Sequence, residues 1–172
     1  MAHCIHLDSH ERDLLSSSKA WIAVNTESNL KNGVGLFTAG EGLENKVILG
    51  TDGMHSDMIR SARWNYFSHK EESKIDLEIA YKRLRRVHYY LSQNDFSGDG
   101  ENNLIILDYN PATPVSSENW LGHFFYNVSS CHVHSVISSG RFIVKNRELI
   151  SVDENEVLEF TKVQAMRLWN KL

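Results

Sequence analysis

The chain has 172 residues, 41% apolar and 23% charged, with a formal net charge of −4. That length allows one or two small domains, and the composition is that of a soluble globular protein. The acidic balance excludes binding of nucleic acid through a basic surface, and no apolar run approaches the roughly 20 residues of a membrane helix.

The N-terminal run MAHCIHLDSHERD has neither the basic nor the apolar region of a secretory leader, so a cytoplasmic chain is expected. Cys4 and Cys131 are then expected to stay reduced. With only 2 prolines, the turns must rest on Gly, Asn, Asp and Ser. "AHCIHL", residues 2–7, reads as a strand. Asp8 and Glu11 follow at capping-box spacing and start a helix with Leu14 and Leu15 on its apolar side. "AWIAVN", 20–25, reads as a strand covered on both faces. Residues 26–42 read as a loop with glycines at 33, 35, 40 and 42. "KVILG", 46–50, is the next strand, and it runs straight into Thr51, Asp52 and Gly53.

Asp57 can cap a helix to about residue 70. A second helix covers about 75–92, with Leu77, Ala80, Leu84, Val87 and Leu91 in a helical stripe. Arg83, Arg85 and Arg86 lie off that stripe and read as a solvated face. "SQNDFSGDGENN", 92–103, is a polar break and the expected boundary between domains 1–95 and 104–172. Beyond it come the strand "LIILDY", a turn and cap in "NPATPVSSENW", a hairpin around Ser139–Gly140, and a helix over about 153–170.

The first part therefore has the order of a parallel α/β sheet. Chemistry in such sheets collects where strands meet their following loops, and His3, Asn25 and Asp52 all stand there. A carboxylate is tolerated at the end of a buried strand if a cation or hydrogen-bond donors face it; Asp before Gly is also an ordinary turn pair. His6 falls on the opposite side of its strand from His3. Ser28, Asn29 and His55 are loop polars, and His123 sits among aromatics as a structural residue. His132 and His134 share a strand face, but no third ligand stands near them.

The ordered set "AHCIHL", "NTESNL" and "ILGTDG" resembles strands six, seven and eight of the metal-dependent amidohydrolase superfamily, in the guanine deaminase and chlorohydrolase branch. "LGTDGMHSDM", "LDYNPATP", "ENWLGHFFY" and "VHSVISSGRFIVKNREL" are similar to the SsnA-type aminohydrolases. The resemblance implies an α/β fold: the C-terminal part of a (β/α)8 barrel over 1–95, then part of a composite β-sandwich with a C-terminal helix over 104–172. It implies hydrolysis of a non-peptide C–N bond of an N-heterocycle by attack of a metal-bound hydroxide. Asp52 matches the strand-eight metal ligand and catalytic carboxylate. His3 matches the strand-six histidine that contacts substrate or the attacking water. Ser28 and Asn29 match the "SN" near the substrate, and His55 is a further substrate-side candidate.

One divalent metal, zinc or iron, is implied for the complete enzyme, but not tightly held by this chain alone. No HxH pair stands upstream of "AHCIHL", no strand-five His is present, and Val24 replaces a His common in relatives. The expected partners are a small N-heterocyclic substrate and the missing N-terminal half of the barrel, or a second copy, with no nucleic acid and no membrane. Either the chain belongs to a working hydrolase, or it is a non-catalytic remnant that self-associates or complements. The second expectation rests on the open edges and apolar faces of a three-stranded parallel piece.

Overall fold

The computed structural model describes residues 1–40, 42–69, 75–96 and 102–172. The chain divides into two compact units, Met1–Ser97 with Tyr109–Ser130, and Gly98–Asp108 with Cys131–Leu172. The single cut expected between 95 and 104 therefore misses a return of Tyr109–Ser130 to the first unit. Residues 97–101 of that expected boundary lie outside the described residues. The return has an aromatic cause. Helix α6, Trp120–Tyr126, buries Phe124 and Phe125. Their rings stand 5.4 Å from Tyr81 and Tyr66 respectively. Arg63 donates to the carbonyls of Phe125 and Val128 and closes the end of that segment.

The first unit is built on two parallel strands, β1 Ile22–Val24 and β2 Val47–Leu49, with Ile22 opposite Val47 and Val24 opposite Leu49. Ile22, Val24 and Val47 are fully buried, as the apolar runs require. The strand expected over 2–7 is reduced to one parallel bridge, Ala2 to Ala23. Its ladder bonds, Ala23 N–H to Met1 O at 2.8 Å and His3 N–H to Ala23 O at 2.9 Å, stop there. His3 and Cys4 take left-handed backbone, φ 65° and 52°, which turns the chain out of the ladder.

Helix α1, Ser9–Ser17, begins at the expected capping box: Asp8 accepts from Glu11 N–H, and Glu11 accepts from Asp8 N–H. Only Leu15 of its two leucines is buried; Leu14 faces outward. The stretch 26–42 is not all loop. Its first six residues form helix α2, Thr26–Lys31, and bury Thr26, Ser28 and Asn29. Gly33 follows at φ 66°, the left-handed conformation that commonly ends a helix.

Helix α3, Met58–His69, has Asp57 accepting from Arg60 N–H at 3.0 Å, as a cap does. His69 is buried, its ring nitrogens 2.9 Å from Asn65 O and 2.8 Å from Phe37 O, so it ties α3 to the loop before β2. The helix expected over 75–92 is two: α4 Leu77–Arg85 and α5 Val87–Gln93. The solvated arginine face is also corrected. Arg83 is 1% exposed. It donates Nε to Glu44 Oε1 at 3.0 Å, Nη2 to Glu44 Oε2, and Nη1 to Asn65 Oδ1 at 3.2 Å. Arg86 adds Nη1 to Glu44 Oε1 at 3.1 Å, while Arg85 stays exposed. Asn65 passes the network on to Thr26 Oγ1 at 3.0 Å. Burial pushes the Glu44 carboxyl up, but the hydrogen bonds and charges of Arg83 and Arg86 outweigh it and leave the pKa lowered.

The second unit is a four-stranded antiparallel sheet in the order β3 Leu104–Leu107, β4 Val133–Ser138, β5 Arg141–Lys145, β6 Glu148–Leu149. The expected hairpin turns at Ser139–Gly140, φ 50° and 76°, the positive values of a type I′ turn. Helix α7, Glu154–Trp169, is capped by Asp153. Its apolar residues Val157, Phe160, Val163, Met166 and Trp169 recur at steps of three. Each step falls ~60° short of a full turn, so they wind around the helix instead of forming one stripe. All five are exposed, and no residue of α7 is buried among the described residues.

Candidate active site

Both parallel strands end in polar side chains at the same end. β1 passes into Asn25, which precedes α2; β2 passes into Gly50, Thr51 and Asp52. The two exits lock together. Gly50 N–H donates to Val24 O at 3.0 Å, and Ser61 Oγ donates to Gly50 O at 2.7 Å. A Cβ at position 50 would lie 2.3 Å from Asn25 Oδ1, closer than real contacts allow. Gly50→Ala is therefore expected to displace the Asn25 amide and cost about 1–3 kcal/mol, the usual range for overpacking. Urea unfolding monitored by circular dichroism checks this; an unchanged midpoint would show that the amide moves freely.

Asp52 takes left-handed backbone, φ 55°, which Asp tolerates better than most residues. Its Oδ2 accepts from Ser28 Oγ at 2.7 Å and its Oδ1 from its neighbour Gly53 N–H at 2.8 Å. The Ser28 hydroxyl first, the Gly53 amide next and His3 last hold the carboxyl below its ordinary pKa, against a smaller desolvation effect. His3 Nε2 stands 3.7 Å from Asp52 Oδ2, and His3 Nδ1 is 2.7 Å from Asn29 Oδ1. Four of the residues singled out in the sequence, His3, Ser28, Asn29 and Asp52, thus meet at the strand exits. The burial expected for Asp52 is corrected, because its side chain is 41% exposed. Its charge is met by hydrogen-bond donors and water in this chain.

A cleft of about 330 Å³ opens beside this group, lined by His3, His6, Asn29, Asn32 and Asp52 with Ile5 and Val34. His6 shares it with His3, contrary to the alternation of a strand, because the segment leaves strand geometry at His3. A larger cavity of about 500 Å³ lies by Trp21 and Lys46, where β1 and β2 begin. Among the described residues its lining has no carboxylate or imidazole, and it stands at the end of the strands that parallel sheets do not use for chemistry.

His55 does not line the cleft. Its Nδ1 accepts from Asp57 N–H at 3.0 Å, so its neutral ring carries its proton on Nε2, 2.9 Å from Glu27 Oε2. Arg60 also pairs with Glu27. The Arg60 hydrogen bond, with His55 adding, lowers the Glu27 pKa against a desolvation that raises it. Sequence reading missed Glu27, Arg60 and Asn32, since nothing marks a helix in "TESNLK" beyond a Glu near its start. His123 is structural, with Nδ1 2.7 Å from Tyr109 Oη. His134 contacts Ser135 Oγ at 3.0 Å, and His132 lies in a short 3-10 turn beside Cys131, not on the strand.

The chemistry of Asp52 and His3 suits a divalent cation, as an ionised exposed carboxylate beside an imidazole. A zinc site takes three or four protein ligands. Among the described residues no group of three or more His, Cys, Asp or Glu stands close enough to hold one.

No protein-family model matches the chain. A 5-methylthioadenosine/S-adenosylhomocysteine deaminase of Syntrophomonas wolfei is 30% identical over 99% of this chain and 43% of its own length. A 5'-deoxyadenosine deaminase of Methanopyrus kandleri is 30% identical over 92% of the chain and 40% of its own length. A zinc-bound adenosine deaminase structure from Xanthomonas campestris superposes with a TM-score of 0.74 at 19% identity, over 98% of this chain and 42% of that one. The chain belongs to the amidohydrolase superfamily. An Escherichia coli guanine deaminase structure superposes with a TM-score of 0.66 at 24% identity, over 84% of this chain and 38% of that one. The structural likenesses carry the amidohydrolase fold, and the chain is its C-terminal part, about strands six to eight of the barrel with the sheet and helix that follow. It spans less than half the length of these relatives.

Proposed function

We propose that this chain forms part of a metal-dependent aminohydrolase that removes an exocyclic amine from an adenosine-type nucleoside. The observation that supports this reading is the meeting of His3 and Asp52, 3.7 Å apart, at the exits of the parallel strands. The substrate class comes from the names of the relatives, which are deaminases of adenosine derivatives. In the reaction water adds to the ring carbon, the C–N bond breaks, and ammonia leaves a ring carbonyl behind.

Asp52 would hold the divalent ion with ligands from outside this chain; when bound, that ion supplies a water of lowered pKa. The carboxylate, kept ionised by Ser28 and Gly53, takes the water's proton and passes it to the leaving nitrogen. His3 faces the same reacting centre, and Asn29 and Ser28 hold the two side chains in place. His55 remains a substrate-side candidate only through Glu27 and the loop it braces.

A second reading, a non-catalytic subunit, is favoured by the 41% exposure of Asp52 and by the incomplete ligand set among the described residues. Two measurements separate the readings. The purified chain is dialysed against zinc and its metal content determined, and ammonia release from adenosine, 5'-deoxyadenosine and 5'-methylthioadenosine is followed. The assay is run on the chain alone and mixed with the N-terminal portion of a matched relative. We expect little bound zinc and no ammonia from the chain alone, and ammonia from the mixture. Tight one-to-one zinc on the chain alone would overturn the incomplete-site reading. A silent mixture would leave the non-catalytic one.

A further inference from the structure

We propose that Asn29 is a positioning residue that acts through His3, holding the imidazole with a proton on Nδ1 and its Nε2 edge toward the cleft. This rests on the reading that His3 works at the strand exits. It differs from a direct role of Asn29 in holding substrate.

The geometry argues it in three steps. Asn29 Oδ1 lies 2.7 Å from His3 Nδ1, and an amide oxygen can only accept, so Nδ1 must carry the proton. Asn25 Nδ2 is the competing neighbour and would need Nδ1 as an acceptor. It stands at 3.5 Å, at the limit of a useful hydrogen bond, so the shorter contact decides. At the other end of the ring, Nε2 is 3.7 Å from Asp52 Oδ2, beyond hydrogen-bond range, and Ser28 Oγ already donates to that oxygen at 2.7 Å.

Asn29 is suited to the task because it cannot drift. It is 1% exposed, it sits on α2, and its own N–H donates to Asn25 O at 2.9 Å. Its Nδ2 is buried with no partner among the described residues. The carbonyl contact to His3 is thus the one hydrogen bond this side chain makes among the described residues. With Nδ1 protonated, the neutral form of His3 meets the cleft as an acceptor. It can take a proton from water or from a substrate N–H, but in its neutral form it cannot donate one to a substrate carbonyl or ring nitrogen.

The test reads the ring and not turnover. The chain is labelled with ¹⁵N-histidine, His3 is assigned with His3→Gln, and long-range ¹H–¹⁵N correlation is recorded at a fixed pH of about 8, above the ordinary His pKa of ~6.5. We expect the Nδ1–H pattern in the unsubstituted chain, a mixture of tautomers in Asn29→Ala, and recovery of the Nδ1–H pattern in Asn29→Asp, which keeps an acceptor. An Nε2–H ring in the unsubstituted chain would mean that the amide donates instead, and would overturn the proposal even if Asn29→Ala fails to fold. A tautomer ratio unmoved by Asn29→Ala would overturn it too. Because no catalysis is needed, these outcomes stand apart from the ammonia and zinc measurements.

Discussion

Glu44→Gln is expected to destabilise the chain by about 3 kcal/mol, the lower end of the cost of breaking a buried ion pair from one side. The loss comes from what is left behind. Arg83 has a side chain only 2% exposed and would keep its charge with no anionic partner, facing only the neutral amide oxygens of the new glutamine and of Asn65. Urea unfolding at pH 7 reads it. A double replacement, Glu44→Leu with Arg83→Met, should cost less than Glu44→Gln alone, because the buried Arg83 charge is removed and Arg86 still donates to the backbone carbonyls of residues 44 and 47. If the single change is as mild as an exposed ion pair, under about 1 kcal/mol, the network is not holding α4 to the segment before β2. The pH dependence follows in sign. The folded pKa of Glu44 is lowered, so its contribution is present above the ordinary carboxylate pKa of ~4.3. It is lost as pH falls through the lower folded value. Glu44→Gln should remove that part of the acid sensitivity.

Asp52→Asn is expected to lower turnover by about 10²–10⁴-fold in any assembly in which the chain completes an active enzyme, the range for loss of a general acid–base group. The amide keeps one oxygen, for either Ser28 or Gly53, but cannot shuttle a proton and binds a cation poorly. Since Asp52 is exposed, folding should be unaffected, and the unfolding midpoint of Asp52→Asn serves as the internal control. Ser28→Ala removes the strongest contribution lowering the Asp52 pKa, so the acidic limb of the pH–rate profile should move to higher pH. A profile that stays in place would show that Asp52 does not titrate in the rate.

Local chemistry was legible in the sequence where a few adjacent residues decide the outcome. Asp8 and Glu11 capped their helix, Ser139–Gly140 turned the hairpin, and the apolar runs at 22–24 and 47–49 became buried parallel strands. The resemblance carried by "AHCIHL", "NTESNL" and "ILGTDG" also holds, both in the relatives and in the fold. What failed was set by distant neighbours. Arg83 looks solvated because its charge is visible in the sequence, while its partner Glu44 is 39 residues away. Helix α2 was hidden because its buried face is made of Thr26, Ser28 and Asn29, so no apolar period announces it. "AHCIHL" has strand composition, yet two left-handed residues end the strand at once. Asp52 was read as buried from the strand before it, but that strand ends at Leu49, and the left-handed backbone three residues on, at Asp52 itself, lifts the carboxylate into solvent.

The return of Tyr109–Ser130 to the first unit means that the polypeptide crosses between its two units three times, near residues 97, 108 and 130. One protease nick at any crossing leaves both halves of the molecule tethered, and neither unit is encoded by an unbroken stretch of gene. Separating them for study needs a circularly permuted or re-spliced chain, and a simple truncation near residue 95 strips the first unit of the aromatic segment that seals it.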